Sequence, residues 1–169
     1  MSEGPEAQPS KFLWRQERAE SGESPIVLMQ SEVEPQFDNL PDGYLLDAAT
    51  KEWNPVVPEG MLLTFRVRAN PSVKRDGRRL QIRRIEEQLA WMQRQAVVHL
   101  GLELIQCGVT GSGEIRSTRR AGGQIAATAA QFEGVASAAD PERLAAGIRM
   151  GIGHTRLLGL GLVSIARVR

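Results

Sequence analysis

Residues 61–68, MLLTFRVR, alternate between apolar and polar side chains. Successive side chains of a β-strand point to opposite faces of a sheet. The alternation therefore predicts a strand that buries Leu63, Phe65 and Val67 and turns polar and basic residues outward. The Asp-Gly pair in the following segment, Lys74–Arg79 (KRDGRR), predicts a tight turn.

The spacing of apolar residues after this strand predicts two helices and three further strands. In chain order they are a helix over Arg84–Leu100, a strand over Leu102–Val109, a flexible loop at Gly111–Gly113, a strand over Gln124–Val135, a helix opened by Asp140-Pro141-Glu142 and a strand over Leu160–Val168. Strand, helix, strand, strand, helix, strand is the order of a ferredoxin-like unit. Two β-like runs that come earlier, Lys11–Gln16 and Pro25–Ser31, indicate part of a second unit, so an α+β fold is expected.

The composition excludes several classes of protein. The chain has 169 residues, of which 41% are hydrophobic and 24% charged, as in a folded globular domain. No apolar run approaches the roughly 20 residues needed to cross a bilayer, so we expect a cytoplasmic protein without a membrane partner. Cys107 is the only cysteine, which excludes an internal disulfide, and one cysteine with two histidines argues against zinc. We expect neither a metal nor a cofactor.

Charge is distributed unevenly along the chain. Residues 1–60 carry 4 Lys/Arg and 12 Asp/Glu, a balance of −8, whereas residues 61–169 carry 17 and 8, a balance of +9. Residues 66–84 alone contain eight basic side chains and one acid. This pattern indicates an anionic partner bound through phosphates, and a solvated basic loop is the alternative. The side chains expected to contact this partner are Lys74, Arg75, Arg78 and Arg79.

A second basic cluster, Arg116, Arg119 and Arg120, stands beside a Gly-Gly pair. In a hairpin these side chains would project toward solvent, where the planar guanidinium suits phosphate. From the residues alone, phosphate contact and a solvated turn both remain open. Arg66 and Arg68 share the polar face of the strand at 61–68. They either follow an RNA backbone or pair with acids from the first sixty residues.

The C-terminal segment Gly151–Ala166 reads GIGHTRLLGLGLVSIA. Glycines allow tight bends, and a run of exposed N–H groups can hold an anion. The order helix, glycines, strand is wrong for a dinucleotide-binding fingerprint. A phosphate-binding loop and a purely structural loop both remain open. If the segment binds phosphate, the contacting residues are Gly151, Gly153, His154, Arg156, Gly159 and Gly161.

Several segments resemble one known family. GIGHTRLLGLGLVSIA looks like the glycine-rich loop and final strand of CRISPR-associated RNA-processing proteins. Residues 63–79, LTFRVRANPSVKRDGRR, are similar to the strand and basic loop of the CasE (Cse3) branch of that group. KFLWR at residue 11, PIVLMQSE at residue 25 and DPERLAAGIRMGIG at residue 140 also resemble that branch. The resemblance covers most of residues 11–169, and its motifs occur in the same order.

The resemblance implies tandem ferredoxin-like (RRM-like) units. Residues 1–10 would form a flexible tail, residues 11–72 the remainder of the first unit, and residues 73–169 the second unit with its glycine-rich loop. It also implies metal-independent cleavage of the repeat hairpin in CRISPR precursor RNA (pre-crRNA) to mature guide RNA (crRNA). The implied partners are the 3′ hairpin of the crRNA and the other subunits of a type I-E interference complex (Cascade). Because a basic hairpin of the family grips the RNA stem in this region, the resemblance also implies RNA contact by Arg116, Arg119 and Arg120.

The sequence departs from the family at its N-terminus. Family members begin with a strand and a helix that carries a catalytic histidine with a nearby tyrosine, but only ten residues precede Lys11, and none is His or Tyr. We therefore expect a first unit that is incomplete at its N-terminus and an unknown catalytic residue. An inactive RNA-binding subunit or a truncated fragment is the alternative to an endoribonuclease. His154 is either a catalytic base or a loop and phosphate contact, and His99 is expected at a helix end or core edge.

Overall fold

The computed structural model describes residues 12–17, 22–118 and 122–168, so the predicted tail, residues 1–10, lies outside the described residues. The strands are β1 (Phe12–Gln16), β2 (Val27–Ser31), β3 (Leu62–Ala69), β4 (Ser72–Arg75), β5 (Arg78–Gln81), β6 (Leu102–Thr118), β7 (Gln124–Ala138) and β8 (Val163–Arg167). The helices are α1 (Ile85–Leu100), α2 (Pro141–Met150) and a single 3₁₀ turn at Arg156–Leu158. None of the helices in the described ranges is long and apolar enough to span a membrane.

Four strands form one antiparallel sheet in the order β6-β7-β3-β8. With α1 between β3 and β6 and α2 between β7 and β8, this is the topology of a ferredoxin-like unit. β3 is a central strand of this sheet, so a division after residue 72 would separate β3 from both strands that it pairs with. We propose instead that the second unit begins at residue 61.

The core lies between this sheet and the two helices. The alternation predicted for β3 is observed, since Leu63, Phe65 and Val67 are all buried. They join Phe132 of β7, together with Met92 of α1, in a single hydrophobic cluster. Every second side chain of β3 thus faces the helices, and the basic side chains of the strand face the opposite side.

The end of α1 and the start of α2 follow their sequence signals. Gly101 ends α1 in the left-handed conformation, with φ 56°. The Asp140 side chain accepts a hydrogen bond of 2.9 Å from the backbone N–H of Arg143 and so caps α2. The space for a side chain at residue 101 is filled by the Asp140 carbonyl oxygen, 2.5 Å from where a Cβ would stand. The two helix ends therefore pack directly on each other, which fixes where α2 delivers the glycine-rich segment.

The prediction of a flexible loop at Gly111–Gly113 is wrong. These residues lie inside β6, which continues to Thr118 and pairs with β7 almost to its end. Register shifts after Leu104 and Val109 bend the strand without ending it. Glycine weakens a strand only modestly, and a long partner strand supplies hydrogen bonds that local sequence does not reveal.

The predicted Asp-Gly turn is confirmed. β4 and β5 form a separate antiparallel hairpin between β3 and α1, with Asp76 and Gly77 at its tip. Both have positive φ, 48° and 75°, as a two-residue hairpin turn of the mirror-image type requires. This hairpin of residues 72–81 is called the basic hairpin below.

β1 and β2 form a two-stranded ribbon outside the main sheet. Arg15 of β1 is buried, and its guanidinium donates to the Ser164 hydroxyl at 3.0 Å and to the Leu162 carbonyl at 3.4 Å. Leu13 and Trp14 pack against the glycine-rich segment. The ribbon is therefore held against β8 and the segment that precedes it.

Candidate nucleic-acid interface

The basic hairpin carries its four predicted RNA-binding side chains in two facing pairs. Lys74 lies opposite Arg79, and Arg75 lies opposite Arg78. All four are exposed, and none forms a salt bridge with an acid of the described residues. Like charges placed directly across a strand pair are destabilising. An anion bound between them would relieve that repulsion, so this arrangement suits a phosphate-bearing ligand.

Buried amides fix the base of the hairpin. Asn70 Nδ2 donates to Gln81 Oε1 at 2.7 Å and to the Thr128 carbonyl at 2.9 Å. Gln81 Oε1 also accepts from the backbone N–H of Thr128 at 3.1 Å. Because Asn70 is fully buried and Thr128 belongs to β7, the hairpin is anchored to the sheet rather than free to swing.

Three glycines of the C-terminal loop have internal structural roles. The N–H groups of Gly151, Gly159 and Gly161 donate to the carbonyls of residues 147, 156 and 68, at 2.8, 3.0 and 2.7 Å respectively. A Cβ at Gly159 would come within 2.9 Å of the Trp14 ring, and one at Gly161 within 2.6 Å of the Ile152 carbonyl oxygen. These three N–H groups are therefore occupied, and the run of free N–H donors expected across all four glycines is not present.

The backbone N–H groups of Gly153 and His154 differ from those of Gly151, Gly159 and Gly161. In the described residues no acceptor takes the backbone N–H of either one. Gly153 has φ 75°, and a Cβ there would lie 3.5 Å from the Trp91 ring, an ordinary contact distance. The N–H groups of Gly153 and His154 are thus available to an outside anion, unlike those of the other three glycines.

A cleft of about 230 Å³ opens between α1, the basic hairpin and the glycine loop. It brings together residues from three parts of the chain, and these are Ser72, Trp91, Gln95, His99, Gly151, Ile152, Gly153, His154 and Arg156. The sequence analysis singled out both histidines but did not place them together. Trp91, Gln95 and His99 recur every four residues, a spacing that puts them on one face of α1, and this is the signal that could have found them.

The cleft is electropositive. Partial burial lowers the pKa of His154 below its usual value, and the nearby guanidinium groups of Arg79 and Arg156 lower it further. No Asp or Glu lines the cleft. His154 is therefore a neutral, exposed imidazole at pH 7, with one ring nitrogen free to accept a proton, and the two arginines beside it can hold a phosphate.

The second basic cluster is only partly described. Arg116 lies near the end of β6, and its Nε contacts Glu114 Oε1 at 2.5 Å. The bond to Arg116 lowers the pKa of Glu114, and the charge of Arg83 adds to this. Arg119 and Arg120 lie outside the described residues. Arg116 would have to exchange its acid for a phosphate in order to bind RNA.

Arg66 pairs with acids. Its Nε lies 2.8 Å from Glu133 Oε1 on β7, and its Nη1 lies 3.6 Å from Glu17 Oε2. Glu17 also binds the buried Arg15, so this network ties the β1–β2 ribbon to the sheet. Of the two roles considered for Arg66, the structure favours pairing, although one partner comes from outside the first sixty residues. Arg68 forms no salt bridge within the described ranges.

Metal ligands do not gather at the cleft. The described residues hold no group of three His, Cys, Asp or Glu side chains placed to bind a metal ion. The cations of the cleft can bind phosphate, and the imidazole of His154 can take part in proton transfer.

Comparison with known proteins shows the family of this chain. The family described as CRISPR associated protein matches residues 1–167. The chain belongs to that family. The CRISPR-associated endoribonuclease Cse3 of Thermus thermophilus is 34% identical to it over 170 residues, which span 92% of this chain and 80% of that protein. The resemblance drawn from the five motifs is thus confirmed.

Solved structures of relatives share the fold. Thermus thermophilus Cse3, bound to an RNA representing a pre-cleavage complex, matches with a TM-score of 0.84 and 33% identity over 93% of this chain and 78% of that one. A CRISPR RNA-guided surveillance complex contains a chain that matches with a TM-score of 0.69 and 25% identity over 99% of this chain and 86% of that one. The α+β fold of ferredoxin-like units in tandem is confirmed.

Proposed function

We propose that this protein binds the hairpin of CRISPR repeat RNA and cuts the precursor transcript into mature guide RNAs without a metal ion. It acts in the cytoplasm and remains in a type I-E interference complex with the other subunits and the 3′ hairpin of the crRNA. Three findings support this proposal. The Thermus relative is an endoribonuclease, its solved structure holds RNA, and another relative belongs to an RNA-guided surveillance complex.

The observation that carries the proposal is the set of four exposed cations on the basic hairpin, next to the cleft. These cations have no salt-bridge partner among the described residues. Ser72 of the hairpin lines the cleft together with His154 and Arg156, and Arg79 is near enough to His154 to lower the pKa of its imidazole. A double-stranded RNA stem is recognised mainly through its phosphates, its 2′-hydroxyls and its shape. A group of exposed cations on an anchored hairpin suits that kind of recognition.

The proposed contacts differ in kind. Side chains of the basic hairpin and of Arg156 would bind phosphates directly, and the N–H groups of Gly153 and His154 would donate to one more. Gly151, Gly159 and Gly161 would act by holding the loop in place. The second basic cluster, Arg116 with Arg119 and Arg120, would hold the stem at a separate position on the β6–β7 connection.

His154 is the candidate proton acceptor for cleavage. In a metal-independent reaction the 2′-oxygen attacks the adjacent phosphorus, its proton passes to the imidazole, and the bond from phosphorus to the 5′-oxygen breaks. The products are a 2′,3′-cyclic phosphate and a 5′-hydroxyl, which takes up a proton. An imidazole that is neutral at pH 7 can accept the first proton, and Arg79 and Arg156 can offset charge on the phosphate. A phosphate contact without catalysis is the other role for His154.

Incubation with repeat RNA in EDTA tests the proposal. The purified chain should cut the hairpin-containing repeat at one position and leave a 2′,3′-cyclic phosphate, while a hairpin of unrelated sequence should stay intact. The His154→Ala variant then separates the two roles of the imidazole. A catalytic base would lose rate with little change in affinity, whereas a phosphate contact would lose affinity and keep the rate of the bound complex. Intact repeat RNA with tight binding would show an RNA-binding subunit, and the absence of specific binding would refute the proposed function.

A further inference from the structure

The cleft has the size of one nucleotide rather than of a stem. At about 230 Å³ it is below the usual 300–1,000 Å³ of small-molecule pockets. It lies among three elements that the core holds in place, with Trp91 of α1 as its floor. Trp91 is 5% exposed and stacks on Phe132 with ring centroids 5.9 Å apart. An A-form helix cannot enter such a space, but a single unpaired residue of RNA can.

The two walls of the cleft differ in chemistry. The loop wall is cationic, because it carries His154 and Arg156, with Arg79 close by. The helix wall is polar, because it presents the Gln95 amide and the His99 imidazole, one turn apart on α1. A phosphate fits the first wall and a nucleobase edge fits the second.

The polar side chains of the helix wall are available for hydrogen bonds to a ligand. Within the described ranges, neither the Gln95 amide nor the His99 ring forms a hydrogen bond with the protein. An amide offers two N–H donors and a carbonyl acceptor, and a neutral imidazole offers one donor and one acceptor. Side chains of this kind can pair with the donors and acceptors of a base edge. Sequence-specific recognition of RNA depends on such contacts to unpaired bases, which the phosphate-binding basic hairpin cannot supply.

We propose that the cleft binds one unpaired nucleotide that flanks the RNA stem, with its phosphate at Arg156 and His154 and its base edge at Gln95 and His99. The inference rests on the proposed function and adds a base-reading subsite to it. The subsite lets the protein measure where the stem ends, since only an unpaired nucleotide fits.

The test compares three RNAs with the same stem and loop. One ends flush with the stem, one carries four unpaired nucleotides on the 5′ side, and one carries four on the 3′ side. The unpaired positions and the stem nucleotides beside them have 2′-deoxyribose, so attack by a 2′-hydroxyl cannot occur there. Dissociation constants are measured for the wild type and for Gln95→Ala, His99→Ala and the double variant. Gln93→Ala is the matched control, because Gln93 lies exposed on the same helix outside the cleft lining.

The wild type should bind one of the flanked RNAs about tenfold more tightly than the flush RNA, from two added hydrogen bonds and a phosphate contact. The double variant should lose most of that gain, because it keeps only the phosphate contact, and it should keep its affinity for the flush RNA, while Gln93→Ala should keep both. Gln95→Glu, which places a carboxylate in the same wall, should lose the gain as well. A thermal melt of this variant, compared with the wild type, checks that the fold is retained.

Equal affinities of the wild type for all three RNAs, or a gain that is undiminished in the double variant, would overturn the subsite and leave the stem-binding proposal standing. Failure of the proposed function gives a different result, in which the wild type binds none of the three RNAs more tightly than a hairpin of scrambled sequence.

Discussion

Replacing all four cations of the basic hairpin with glutamine (Lys74→Gln, Arg75→Gln, Arg78→Gln and Arg79→Gln together) should lower the salt dependence of RNA binding by the share of four phosphate contacts. Each side chain is exposed and lacks a salt-bridge partner in the described residues, so each can neutralise one phosphate. Each phosphate contact contributes about 0.7–0.9 to the slope of log K against log salt. Four contacts therefore account for a slope of roughly 3 to 3.5.

The expected magnitude follows from that slope. Between about 50 and about 200 mM salt, a slope difference of roughly 3 to 3.5 corresponds to about a hundredfold change in relative affinity. The wild type should thus lose about a hundredfold more affinity than the variant over that range, in fluorescence anisotropy titrations with labelled repeat RNA.

A second quadruple variant serves as the control, because it has the same net charge as the first. Lys51→Gln, Arg94→Gln, Arg149→Gln and Arg167→Gln together remove four exposed cations that do not line the cleft. This variant should keep a slope close to that of the wild type, because long-range attraction is screened beyond about 10 Å at moderate salt. The reasoning is refuted if the two quadruple variants lose equal slope, since net charge alone would then explain binding.

Three further predictions concern single positions. Because the pKa of His154 is lowered in the folded state, the free energy of unfolding should fall as pH drops below about 6.5. In urea titrations at pH 7.5 and 5, His154→Asn should remove part of that fall. An equal fall in the wild type and the variant would contradict the lowered pKa. Gly161→Ala should destabilise the fold by about 1–3 kcal/mol, because its Cβ would meet the Ile152 carbonyl at 2.6 Å, and an unchanged melting temperature would count against the tight loop. Arg66→Gln should leave RNA affinity within about twofold, since Arg66 already pairs with Glu133; a tenfold loss in the same titrations would assign Arg66 to the interface.

Local patterns predicted the elements whose shape is set by near neighbours. The alternation in β3 and the Asp-Gly turn of the basic hairpin were visible because strand faces and tight turns follow from a few consecutive residues. The extent of β6 was not visible. Gly111–Gly113 looks like a break until its long pairing with β7 is known, and that pairing is a non-local property.

The site was predictable in its residue types but not in its arrangement. A charge count found the hairpin cations, and the glycine pattern found His154 and Arg156. The sequence could not show that His99 lies in the same cleft as His154, because that proximity depends on how α2 packs against the end of α1. The sequence also could not show that Arg66 forms a salt bridge with Glu133 on the neighbouring strand β7.

Hydrogen–deuterium exchange of the full chain, with and without its repeat hairpin RNA, tests most directly whether the cationic cleft is where RNA binds. Slower exchange should appear in residues 72–81 and 151–158, two segments that both contribute residues to the lining of the cleft. The exposed side of α2, near Arg143 and Arg149, should be unaffected. Protection confined to α2 or to the β1–β2 ribbon, with no change in the basic hairpin, would contradict the account.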